Sequence, residues 1–116
     1  NQVSKNIYIL NYNNGVSNNK KRINHFYEYG NIVYISTDFG IVEYNLMNST
    51  FGDTFFISPT GIETEVYATA VIGNTIYACT KNHGIRRANV TSEFLVNYQN
   101  WTVFDAGYWK KILNFN

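Results

Sequence analysis

The chain has 116 residues and a net charge of +1, and only 15% of its residues are ionisable. That balance excludes the strong basic field of a nucleic-acid binder or of a protein held to acidic membranes by charge. A single cysteine, Cys79, excludes an internal disulfide and a multi-thiolate zinc site, and no run reaches the roughly 18 apolar residues of a membrane-spanning helix.

In chain order, residues 6–10 are apolar enough for a strand. Residues 11–22, rich in Asn and Gly, read as a connection ending in the only basic run, Lys20-Lys21-Arg22. Three charges in a turn read as a solvated loop. Residues 23–29 form a first strand, closed by Gly30-Asn31, a pair that tolerates the positive φ of tight hairpins. A second strand over 32–38 has no charge on either face before Asp38, as expected of a sheet covered on both sides. Phe39-Gly40 turns the chain into a third strand over 41–46. Asn48-Ser49-Thr50 is a polar loop, and 52–58 form a fourth strand. Pro59-Thr60-Gly61 then returns the chain, with the only proline in a turn and not in a ladder. A second set follows: strands over 65–72, 75–81 and 85–90, a longer link over 91–100, and a fourth strand over 101–105. Ala106-Gly107 makes the return, and 108–115 open a further strand.

The two sets are one unit repeated. Gly30-Asn31 falls on Gly73-Asn74, Tyr34 on Tyr77, Thr37 on Thr80, Gly40-Ile41 on Gly84-Ile85 and Asn45 on Asn89. The offset is 43 residues, rising to 44 after one insertion near Asn82. A repeat of about 40–45 residues built of short strands is the signature of a β-propeller blade. The fold class expected is therefore all-β, a partial β-propeller with about two complete four-stranded antiparallel blades and pieces of the flanking ones. In this division 1–22 are the end of a preceding blade and its connection, 23–58 and 65–105 are blades, and 108–116 are the first strand of the next. A closed ring needs about 4–8 blades, so the chain is expected to be a fragment of one propeller domain, with its neighbouring blades as partners. Aromatic residues reach 17% and are expected to fill wedge-shaped gaps between blades.

The chemistry-bearing residues have plain structural readings. Ser36-Thr37-Asp38-Phe39-Gly40 begins like the Asp-box of sialidase-type propellers, Ser-x-Asp-x-Gly-x-Thr-Trp, but Val42 and Glu43 stand where Thr and Trp belong. Asp38 is expected to be a turn residue whose carboxylate accepts backbone N–H groups; Lys81 occupies its place in the second unit. His25 and His83 sit at different blade positions, aligned with Ala68 and Phe39. Cys79, aligned with Ser36, reads as a small buried thiol. Glu63 and Glu65 stand at strand spacing, both toward one face, as the solvated start of a strand. Arg86 and Arg87 are adjacent in a strand and so point to opposite faces. Asn48, Asn89 and Asn100 head N-x-Ser/Thr triplets, about as many as chance supplies in so Asn-rich a chain. No nucleophile elbow, zinc-helix motif or phosphate-binding loop occurs, and no carboxylate pair across a cleft is identified. No catalytic, cofactor or metal residue is therefore assigned.

The run IVYISTDFGIVEYNL over 32–46, with FGDTFFI over 51–57, resembles the N-terminal β-propeller of PorZ-type proteins of the Bacteroidetes type IX secretion system. KKRINHFYEY before it, IYACTKNHGIRRANV after it and NYQNW at 97–101 share the resemblance, which covers about residues 20–104. Similar blades occur in two-component regulator propellers. The resemblance implies a non-catalytic cell-surface protein of the outer membrane. It would work with a sortase-like partner in attaching secreted cargo to lipopolysaccharide, with no cofactor and no nucleic acid. The competing readings are a periplasmic glycan-sensing propeller of a hybrid two-component regulator and, third, a glycoside-processing propeller.

Overall fold

A computed structural model describes Val16, residues 21–91 and residues 94–104. Eight strands make two four-stranded antiparallel sheets. The first holds β1 (Ile23–Tyr29), β2 (Ile32–Thr37), β3 (Ile41–Asn45) and β4 (Thr50–Phe55); the second holds β5 (Val66–Ile72), β6 (Thr75–Thr80), β7 (Ile85–Asn89) and β8 (Thr102–Val103). Each sheet keeps chain order, β1-β2-β3-β4 and β5-β6-β7-β8, the meander of a propeller blade. The expected strands at 6–10 and 108–115 lie outside the described residues.

The repeat holds down to single ladder pairs. Tyr27↔Tyr34↔Glu43 in the first blade matches Ala70↔Tyr77↔Arg87 in the second. Both inner hairpins carry a register shift at the same place, between Ile23 and His25 and between Val66 and Ala68. Each blade also repeats three backbone bonds: Asp38 N–H to Arg22 O and Lys81 N–H to Glu65 O, Leu46 N–H to Asn31 O and Val90 N–H to Asn74 O, Thr37 N–H to Gly40 O and Thr80 N–H to Gly84 O. Gly30 and Gly73 take φ of 62° and 61°. Asn31 and Asn74 keep negative φ, so only the first residue of each tight turn needs the left-handed region.

The blades stack face to face and meet most closely along β1 and β5, the inner strands. Side chains alternate across each strand. Tyr34, Ile41 and Phe55 therefore enter the core between the blades with Ile76, Ala78 and Ala88, while Val33, Ile35, Val42 and Tyr44 pack on the first blade's far side. The gap is a wedge. On inner strand β5 the small Thr69 faces the gap, opposite Ala78 of β6, and the outer rim is filled by Phe55 and Trp101, ring centroids 6.3 Å apart. Burying each such aromatic stabilises the stack by about 1.5–3 kcal/mol.

Two outer strands differ from expectation. β4 runs over Thr50–Phe55 and not 52–58. The chain reverses within residues 46–49, with Ser49 at φ 57°, so that Thr50 pairs Asn45 and Phe51 packs edge-on against Tyr44 at 5.1 Å. Ile57 and Ser58 leave the sheet yet stay fully buried. β8 is only Thr102–Val103, because Trp101 ends a short 3₁₀ turn, Tyr98–Asn100, and turns its ring inward. Its indole N–H donates to Leu95 O at 2.9 Å. β1 keeps its expected limits, and the remaining five strands fall one residue short of theirs: Asp38, Lys81, Leu46 and Val90 belong to turns, and Glu65 precedes β5.

Candidate functional site

In a meander the starts of the first and third strands share one end with the β2–β3 turn and the link to the next blade. At this upper end the turns are built alike. Thr37 Oγ accepts from the N–H groups of Phe39 and Gly40, at 3.2 and 3.1 Å, and donates to Gly40 O. Thr80 Oγ accepts from His83 N–H at 3.0 Å and donates to Gly84 O. The repeated threonine, not Asp38, is therefore what caps the turn. Asp38 turns sideways: one carboxylate oxygen accepts from the Asn24 amide at 3.0 Å, and the other lies 3.4 Å from Arg22 Nε. Asn24, the extra residue of the β1 bulge, reaches across to Val66 O at 2.9 Å.

The substitution of Lys81 for Asp38 is compensated. Arg22 pairs Asp38 across the first blade, and at the same two positions Glu65 faces Lys81 at 4.0 Å across the second. The polarity is inverted, so Arg22 also reaches Glu65 of the next blade, at 3.5 Å. Exposed pairs of this kind contribute about 0–1 kcal/mol each; their use is to set one blade's position on the next. The basic run is thus not simply a solvated loop, since Lys21 is buried and Arg22 bridges two carboxylates. Glu63 and Glu65 lie in the link before β5, not on a strand. Glu65 joins the ion pairs, while Glu63 lines an open cleft of about 490 Å³ with Phe56, Gly61 and Ile62.

The remaining candidates are dispersed. Cys79 is fully buried, and burial pushes its thiol up to about 11. His25, half-buried on β1 opposite Ser36, is held below the usual imidazole range by desolvation, and its Nδ1 is buried without a partner. His83 stands in the β6–β7 turn. Arg86 and Arg87 do point apart. Arg86 is 6% exposed and donates from Nε to Ile57 O at 2.9 Å and from Nη2 to Trp101 O at 2.8 Å, tying both blades together at the rim. Burial lowers its pKa. Arg87 is exposed and lies 4.8 Å over the Phe104 ring. Of the three triplet asparagines, Asn89 accepts from Thr91 N–H and Oγ, and Asn100 donates to Phe94 O. Asn48 sits in the exposed β3–β4 turn. Among the described residues no group of three His, Cys, Asp or Glu side chains could hold a metal ion, and no helix is long and apolar enough to cross a membrane.

A second concavity, of about 270 Å³, lies at the lower end beside β7 and the long link, lined among others by Asn74, Arg87, Asn89 and Asn100. Sequence reasoning missed it. The signal was the longer link at 91–100, which leaves room for only a two-residue β8.

The comparisons agree with this architecture. No curated protein and no solved structure matches the chain. Residues 2–102 match the family model described as TSS9, PorZ, N-terminal beta-propeller domain. With most of its length matched and two blades in register within that span, the chain belongs to the PorZ N-terminal β-propeller family of the type IX secretion system.

Proposed function

We propose that this propeller is a non-catalytic surface module of a type IX secretion complex, which supports the anchoring of secreted cargo to lipopolysaccharide at the outer membrane beside a sortase-like partner. The family ties the chain to type IX secretion. The observation that carries the reading is that match over residues 2–102, coincident with two registered blades. The non-catalytic part rests on the dispersal of the reactive side chains: Asp38 and Glu65 are engaged in ion pairs, and Cys79 is buried.

The chain is read as one stretch of a propeller, with blades at 23–58 and 65–105 and flanking pieces at 1–22 and 108–116. Apolar clusters on the far sides of both blades, around Ile35 in the first and Ile85 in the second, support further layers in the intact protein.

Deletion of the gene tests the role. Secreted cargo is expected to appear unanchored in the medium, with the wild-type protein restoring attachment. Normal anchoring in the deletion strain refutes the secretion role and favours the glycan-sensing alternative.

A further inference from the structure

The inner part of the seam between the two blades holds three polar side chains, His25, Ser36 and Thr69. His25 pairs Ser36 across the β1–β2 ladder, and Thr69 pairs Ala78 across β5–β6. Both pairs face the seam, because Tyr34 and Ala78 on the same faces belong to the cluster between the blades. The blades are repeats of one unit, so equivalent residues stand at equal height in the stack. His25 is equivalent to Ala68, which sets it one residue's rise, about 3.3 Å, from Thr69. Two side chains flanking His25 fix this level. Asn24 donates to Val66 O at 2.9 Å and Tyr27 to Val71 O at 3.2 Å, on either side of Thr69 along β5.

Ser36 is 0% exposed and Thr69 2%. His25 Nδ1, Ser36 Oγ and Thr69 Oγ1 are all buried and have no hydrogen-bond partner among the described residues. Two further such atoms lie apart: Thr64 stands in the link before β5, and Thr54, opposite Val42, faces the first blade's other side. Both walls of the seam are described blades, so the burial of the three atoms needs no further layer. None of the three bonds another, so they call for a bridging group that both donates and accepts. A hydroxyl can do either, and the imidazole Nδ1 does one or the other according to its tautomer. Packed sheets stand about 10 Å apart, and Ser36, Thr69 and Ala78 reach only a short way into that space. A buried water makes about three bonds to groups of this kind. The arrangement is particular to this seam: the second blade has Ala68 and Cys79 in the places of His25 and Ser36.

We propose that the seam contains an internal water site, in which one ordered water bridges His25 Nδ1, Ser36 Oγ and Thr69 Oγ1 and pins β5 to β1 and β2. The site is independent of the secretion role proposed above. A crystal structure of the intact protein at about 1.5 Å is expected to show a water within about 3.2 Å of all three atoms. Thr69→Val, which keeps the shape and removes one partner of that water, should lower the melting midpoint by about 2 °C or more, and Ser36→Ala should do the same. The double variant should lose less than the sum, since both hydroxyls act through one water. Without the water both hydroxyls are orphans, and removing either raises the midpoint. No water peak at the site, a raised midpoint in Thr69→Val, or additive losses in the double variant overturns the proposal.

Discussion

Arg86 and Arg87 are neighbours in one strand, and the structure assigns them unlike energies. Arg86 is buried and donates two charge-assisted hydrogen bonds, to Ile57 O of one blade and Trp101 O of the other. Each such bond contributes about 1.5–3 kcal/mol. Arg86→Met removes both and leaves two carbonyls without that donor. It also returns about 1–2 kcal/mol, by burying an apolar chain and by removing the desolvation cost of a guanidinium. The bonds outweigh the return, and the net loss is about 2–4 kcal/mol. With a urea dependence of about 1–3 kcal/mol per molar, the midpoint of the intact protein should fall by about 1 M or more. Arg86→Lys should lie between, because one ammonium cannot reproduce the guanidinium fork. Arg87→Met loses only an exposed cation–π contact of about 0.5–1 kcal/mol. Equal effects at the two positions, or an Arg86→Met loss under about 0.5 kcal/mol, refute the reading of Arg86 as the interblade tie.

Gly84 holds φ at 67°, so Gly84→Val should cost about 1 kcal/mol or more, seen as a lower melting midpoint. Cys79, fully buried with its thiol pushed up to about 11, should resist an aromatic disulfide reagent at pH 8 until denaturant is added; prompt reaction in the native state contradicts its placement. His25 is held below the ordinary value of 6.5 when folded, so the unfolded chain takes up its proton first. Stability from this group is complete above that value and is lost as the pH falls through it toward the folded pKa; His25→Ala, which copies Ala68, should flatten that slope in pH-dependent melts. Arg22→Glu sets three carboxylates together with Asp38 and Glu65 and should lower stability by about 1 kcal/mol at low salt, less at high salt.

The repeat made the blades legible because sheet geometry translates directly into sequence. Strands bury alternate residues, tight turns need a residue tolerant of positive φ, and both leave marks at a fixed period: Gly30 and Gly73, Tyr34 and Tyr77. The inner and middle strands, framed by these marks, were located to within a residue. The outer strands were not, because an edge strand has one partner and a weaker burial pattern. Trp101 reads as a strand residue by type, yet its ring is claimed by the interblade wedge, and the chain joins the sheet only after it. Asp38 was placed in the right turn with the wrong partner. Its oxygens go to Asn24 and Arg22, and nothing local in the sequence marks Asn24 as a bulge residue.

The pairing of Arg22 with Asp38 and of Glu65 with Lys81 carries the argument one step further. Each residue considered alone shows a tolerant site, since Asp and Lys alternate at one repeat position and Arg and Glu at another. Considered as pairs, the exchange preserves attraction within each blade and, through the inverted polarity, creates the contact from Arg22 to Glu65 between them. Two blades of equal polarity would place Arg beside Arg at that end of the stack. Variation that looks like relaxed constraint at single positions is therefore a correlated choice at the level of the interface.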